Sequence, residues 1–259
     1  MKEFARMKKL AVVAAGLALS AAAVWAQAKQ PKVKSQKEGE AIMAIMNSAD
    51  ADARIAAVEA LLQKYADTEF KAVALQIAAA SAQEKNDFEK MVIYAERTLE
   101  ADAKNYTAML MLASGIAQRT REHDLDKEDK LKTVEKYANG AIEALKTAEK
   151  PRPDITDEQW NAAVKDFHAQ ALEALGMAAM SRKKYDEAIT QFKASIDGSA
   201  TPDPATKVRL ASAYNQLQKF DEALQVLDPL LADQNLNPTI RQFAANEKVK
   251  AAMGKAQKK

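Results

Sequence analysis

The 259-residue chain has no cysteine, only seven glycines and seven prolines, and two histidines. Without cysteine there is no lipid anchor attached through that residue. With His123 and His168 far apart, there is also no recognised zinc-ligand spacing. The absence fits an oxidising compartment without demanding one. Glycine is too sparse for a phosphate-binding loop, and no segment alternates apolar and polar residues as a half-buried strand does. Neither sign of charge dominates, with 38 Lys and Arg against 36 Asp and Glu. No dense Lys/Arg cluster carries interleaved aromatics, so the basic face that nucleic-acid phosphates require is missing.

Long hydrophobic runs are absent too, apart from one near the start. Leu10 to Val24 is almost wholly Ala, Val, Leu and Gly; it follows Lys8 and Lys9 and precedes the small-x-small step Ala26-Gln27-Ala28. At about 15 residues the run is short for a comfortable membrane span. The pattern is that of a signal peptide over 1–28 cleaved after Ala28, with a retained N-terminal anchor as the rival. Met7 begins a complete signal by itself. Cleavage would remove Lys2, Glu3, Arg6, Lys8 and Lys9, leaving 34 basic and 35 acidic side chains. The expected destination is periplasmic or secreted, with no membrane span left after cleavage. Lys29, Lys32, Lys34 and Lys37 make a basic flexible leader over 29–37, and Lys255, Lys258 and Lys259 a flexible basic tail over 254–259.

What is abundant is alanine-rich helical pattern, and within it one phrase occurs twice. Lys184-Tyr185-Asp186-Glu187-Ala188-Ile189 returns 35 residues later as Lys219-Phe220-Asp221-Glu222-Ala223-Leu224. Leu172, Leu175, Gly176 and Ala179 precede the first copy, and Ala188, Phe192 and Ser195 follow; Leu210, Ala211 and Tyr214 precede the second, and Ala223, Leu227 and Leu230 follow. Spacings of three and four put each set on one helical face. Recurrence at this period means stacked helical hairpins.

These residues resemble the tetratricopeptide repeat, a 34-residue helix, tight turn and antiparallel helix. Leu175-Gly176, Tyr185, Ala188 and Pro202 carry the likeness in one unit, and Leu210-Ala211, Tyr214, Phe220 and Ala223 in the next. The resemblance implies an all-α right-handed superhelix of antiparallel hairpins, an α-solenoid, over 38–253. The units fall at 38–71, 72–105, 106–152 with an insertion, 153–203 with an elongated first helix, and 204–237, followed by a capping helix over 239–253. The first unit departs from the pattern at Arg54, where an aromatic is expected. Arg119 to Lys130 is a charged spacer, and the helix after it is expected from about Leu131 to Ala148, with Val134 or Ala138 at its close-packing position. Thr156 with Gln159 reads as a capping box for a helix from Asp157 to Ser181.

Catalytic constellations are not announced. His123 lies in a charged connector and His168 on the long helix; Asp124 to Asp129 and Asp50-Ala51-Asp52 lack the glycine and glutamate placement of a calcium loop and read as solvated turns. No catalytic residue, cofactor, metal or small-molecule substrate is expected. In this hairpin register the first helices offer a stripe to the concave groove. It comprises Ile42, Met43 and Met46; Gln76, Ile77 and Ala80; Leu110, Met111 and Ser114; Glu173, Met177 and Met180; and Val208, Arg209, Ser212 and Asn215. Much of it is methionine-rich, suiting adaptable contact with a partner's helix or peptide, or else close packing between helices. The family's carboxylate clamp is not reproduced, since only Arg209 and Asn215 have the appropriate chemistry. Trp160 and Phe167, seven residues apart, form a candidate contact ridge or fold back over the insertion. The function expected is a noncatalytic protein-interaction scaffold or adaptor of the bacterial envelope. The alternatives are a structural subunit of an envelope-assembly or secretion complex and, more remotely, a hydrolase on a helical scaffold.

Overall fold

The computed structural model describes residues 31–258, and the signal-like segment lies outside them. The described residues form eleven helices and no strand. They are α1 Gln36–Met46, α2 Ala51–Lys64, α3 Lys71–Glu84, α4 Phe88–Ala101, α5 Tyr106–Arg119, α6 Lys127–Leu145, α7 Asp157–Ser181, α8 Tyr185–Gly198, α9 Pro204–Gln216, α10 Phe220–Ala232 and α11 Pro238–Gln257. The all-α hairpin array read from the sequence is what folds. Local chemistry starts the helices: the side chains of Ser35, Asp50, Asp87, Asp203 and Asn237 accept from first-turn amides, and Pro204 and Pro238 occupy first-turn positions. The Thr156 amide donates to Gln159 Oε1 at 3.0 Å while the Gln159 amide donates to Thr156 Oγ1 at 3.2 Å, so the expected capping box forms reciprocally.

Three hairpins turn through the same geometry. Asn86, Lys183 and Gln218 adopt left-handed φ values of 57°, 61° and 56°. The following amides of Asp87, Lys184 and Lys219 each donate to a carbonyl five residues back, Ala82, Ala179 and Tyr214. The left-handed residues' own amides reach Gln83, Met180 and Asn215. This pair of bonds satisfies the orphan carbonyls at a helix end and reverses the chain. The repeated phrase begins directly after it, which explains why its lysine is followed by a helix start.

The described residues divide into two compact units, one running up to Leu112 and including Lys146–Trp160, the other made of Ala113–Leu145 and the chain from Asn161 onward. In the first, α1 packs on α2, α2 on α3 and α3 on α4. Ile45, Val58, Leu61, Phe70, Leu75, Ala78, Ala79, Met91 and Ala95 are buried there. Arg54, where the repeat pattern wants an aromatic, instead donates to Ser81 Oγ and Glu84 Oε2, both at 3.1 Å. In the second unit α8, α9, α10 and α11 pack in succession, and α11 also touches α9. Ala211, Ala223, Leu227, Leu230, Leu236, Ala244 and Ala251 form its core, flanked by Val208, Tyr214 and Phe220.

Several boundaries differ from the sequence reading. Helix α6 begins at Lys127, not near Leu131, and ends at Leu145. Glu128 and Asp129 suit a helix N-terminus, and Glu128 is held from outside the helix by Arg182 at 2.8 Å. Val134 and Ala138 are both buried, so neither displaces the other from the packing face. The long helix spans Asp157–Ser181 as expected. The cap runs on to Gln257, so residues 254–257 are not a flexible tail: Lys255 pairs with Asp221, and Lys258 donates to the Gln218 carbonyl and lies over the Phe220 ring. The leader is also tied down in part, because the Lys32 amide donates to Glu69 and the Lys34 ammonium to Asp67. Among the described residues no helix is long and apolar enough to cross a membrane.

Candidate functional site

The second unit contains an open pocket of about 460 Å³. Its walls come from three first helices and one second helix. Residues Ala117 and Gln118 of α5, Met177, Met180 and Ser181 of α7, Phe192 of α8, and Arg209 and Ser212 of α9 line it. Ala117, Met177 and Phe192 are buried and make an apolar floor, while Gln118 is exposed and Ser181, Arg209 and Ser212 are partly so. Close approach of α7 and α8 sets that floor. A Cβ built on Gly176 would lie 2.5 Å from the Phe192 ring, so only glycine lets the ring rest against the α7 backbone.

The charge at the rim is arranged in one pair. Arg209 Nη1 donates to Glu173 Oε1 at 2.6 Å, and the arginine side chain is 32% exposed against 14% for the glutamate. What faces an incoming ligand is therefore the cation. Burial raises the Glu173 carboxyl above the usual range; Arg209 opposes this, Asp203 adds to it and a hydrogen bond from Thr206 opposes it. Asn215, three residues after Ser212 on α9, is already engaged: its Nδ2 donates to the carbonyl and to Oε2 of Glu247 on α11, at 3.0 and 2.8 Å. The two clamp-like side chains thus hold the chain's own carboxylates.

The expected stripe is brought together only in part. Met177, Met180 and Arg209 meet in the pocket, with Glu173 behind the arginine. In the first unit Ile42, Met46 and Ile77 line a much smaller apolar hole, about 10 Å³, together with Ile45, Leu61, Phe70, Val73 and Ala74. That is room for about one water and no side chain. Met43 is exposed, but Gln76, Leu110 and Met111 are buried, which corrects their assignment to an accessible groove. Gln76 accepts from Asn105 Nδ2 at 2.9 Å, an internal use of its amide. Trp160 is buried and Phe167 half-buried, so they do not stand out as an exposed ridge.

Gln118, Ser181, Ala117 and Phe192 are absent from the sequence-derived site. Helical spacing carries a signal for two of them: Gln118 lies seven residues after Met111, and Ser181 four after Met177. Phe192 is legible only as core. Outside the pocket, His123 is exposed in the connector and His168 half-buried on α7; neither is a lining residue. The acidic connector is internally paired. Asp124 accepts from the Lys130 ammonium and the Arg121 amide, contacts that hold its carboxyl below the usual range. Among the described residues no group of three or more His, Asp and Glu is placed to hold a metal ion.

Residues 179–247 match the family model for the tetratricopeptide repeat. No curated protein matches the sequence. Among solved structures, the fold is similar to a thermophilic tetratricopeptide-repeat protein of Thermus thermophilus, with a TM-score of 0.54 and 15% identity over 82% of this chain and 96% of that one. An assembly chaperone of RpL4 aligns over 87% of this chain and 99% of its own, at 11% identity and a TM-score of 0.42. The matched repeat, the shared hairpin fold and the recurring left-handed turns agree: residues 179–247 match the tetratricopeptide repeat, and the fold of the chain is similar to that of a tetratricopeptide-repeat protein.

Proposed function

We propose that the protein is a noncatalytic interaction scaffold of the bacterial envelope that holds a peptide or helix of a partner protein in the pocket between α5, α7 and α9. The observation that carries this reading is an open pocket with an apolar floor and a polar rim built on three first helices. Such a surface buries an apolar anchor while its rim selects among ligands. Thioether side chains at Met177 and Met180 adapt to differing shapes. The envelope location rests on the signal-like pattern of residues 1–28.

The test is recovery of a partner from the envelope fraction with wild type and with Met180→Glu, a half-buried position where a carboxylate leaves the helix intact. A partner recovered by wild type and lost by the variant supports the pocket. Equal recovery by both proteins, with unchanged helical circular dichroism, overturns it.

A second reading, a structural subunit of a larger envelope assembly, draws on different residues. Phe243, Val249 and Met253 on α11 are 60%, 57% and 59% exposed, large apolar side chains left uncovered on the cap. Sedimentation of wild type against Val249→Glu tests it: a larger species lost in the variant supports assembly through the cap, and a monomer in both removes that reading.

A further inference from the structure

Resting on the pocket reading, we infer that the ligand is an acidic segment whose internal Asp or Glu side chain lies next to an apolar residue, and that Glu173 is a built-in competitor for the arginine that recognises it. The apolar neighbour enters between Met177, Met180 and Phe192, and the carboxylate meets Arg209 at the rim. Charge complementarity selects this ligand. Arg209 is the pocket's one charged lining residue, and its guanidinium spends a single donor, Nη1, on Glu173. Its remaining N–H donors leave room for a second carboxylate in the planar geometry that arginine favours. The hydroxyls of Ser181 and Ser212 and the amide of Gln118 complete a rim able to donate to the same oxygen atoms.

Glu173 sets how tightly that carboxylate is held. Its carboxyl is the less exposed member of the pair, seated against Arg209 from behind. An incoming carboxylate therefore shares the arginine with an existing anion, and like charges at one cation oppose each other. Replacing Glu173 with the isosteric, neutral glutamine keeps an acceptor for Arg209 and removes the opposing charge. Weak, exchangeable binding by the native protein and tighter binding by this variant are the consequence. A basic ligand would show the reverse order, because Glu173 would then be the attractive group.

The experiment selects phage-displayed random 12-residue peptides, fused through their C-termini so that no free terminal carboxylate is offered, on the intact protein. Enriched sequences are then synthesised with amidated C-termini and titrated by fluorescence anisotropy. Expected are Asp or Glu adjacent to Leu, Ile, Met or Phe, binding weakened about tenfold or more in Arg209→Glu, tightened severalfold in Glu173→Gln, and lost in Met180→Glu. Enrichment of neutral or basic peptides that still need Met180, or acidic peptides indifferent to Arg209→Glu, overturns the ligand assignment and leaves the pocket standing. No enrichment, or binding unaffected by Met180→Glu, overturns the pocket with it.

Discussion

Substituting Gly176 by alanine probes the contact that shapes the floor of the pocket. The new Cβ would stand 2.5 Å from Cε1, 2.6 Å from Cδ1 and 3.0 Å from Cζ of Phe192, where carbon atoms settle at about 3.5–4.0 Å. Relief needs the ring or the helix to move by about 1 Å, and Phe192 is fully buried in a close-packed interior that gives little. Overpacking of this kind costs about 1–3 kcal/mol. Against it stands the gain of replacing a mid-helix glycine, about 0.5–1 kcal/mol. The net expectation is destabilisation centred on about 1 kcal/mol, read as a lowered urea midpoint in circular dichroism with an unchanged slope. Gly198 supplies the control: nothing lies within 4 Å of its built Cβ, so Gly198→Ala should be neutral or slightly stabilising. Combining Gly176→Ala with Phe192→Leu should cost less than the two separate losses together, because the smaller side chain makes room for the methyl. A Gly176→Ala protein as stable as wild type or more so would refute the claim that ring-on-backbone packing sets this helix pair.

The left-handed turns give a second expectation. Gln218→Val places a β-branched side chain at φ 56° and should lower stability by about 1–2 kcal/mol, whereas Gln218→Gly should be tolerated; equal midpoints for the two variants would contradict the turn geometry. A third concerns Asp166, whose Oδ1 accepts from Ser199 Oγ at 2.6 Å and from the Ala200 and Thr201 amides at 2.7 and 3.0 Å, while Oδ2 accepts from Thr201 Oγ1 at 2.6 Å. Burial pushes its carboxyl up, but the hydroxyls of Ser199 and Thr201 and the two amides outweigh it and hold the carboxyl below the usual range. A lowered folded-state pKa means that this stabilisation is complete above the unfolded value of about 4 and is lost as pH falls through the folded one. Asp166→Asn should therefore cost about 1–3 kcal/mol at neutral pH and show a smaller stability loss than wild type between about pH 4 and pH 2; parallel pH profiles would remove Asp166 from the explanation.

Much of the fold was legible because its determinants are local. Ser35, Asp87, Thr156 with Gln159, and Asn237 with Pro238 start helices through bonds to residues two or three positions away, and the repeated phrase follows a turn closed within six residues. The glycine of Leu175-Gly176 also declared itself, since a mid-helix glycine signals close approach of another element. Harder to read were the ends of α6 and α11, because they are extended by partners distant in sequence. Arg182 reaches back to Glu128 and Glu135, and Asp221 holds Lys255. Propensity alone does not contain those contacts.

The candidate site divides along the same line. Helical periodicity placed Met177, Met180 and Arg209 on groove-facing positions, and the structure gathers them into one pocket. The same periodicity put Gln76, Leu110 and Met111 there, yet these are buried. By itself, then, the sequence determined the helices and their pairing into hairpins, which depend on spacings of three, four and about 34 residues. Only the tertiary structure decided which part of the stripe stays open, that Glu173 already occupies Arg209, and that Glu247 occupies Asn215. Exposure and ion pairing depend on which helices come near from far along the chain, and periodicity within one helix carries no information about that distance.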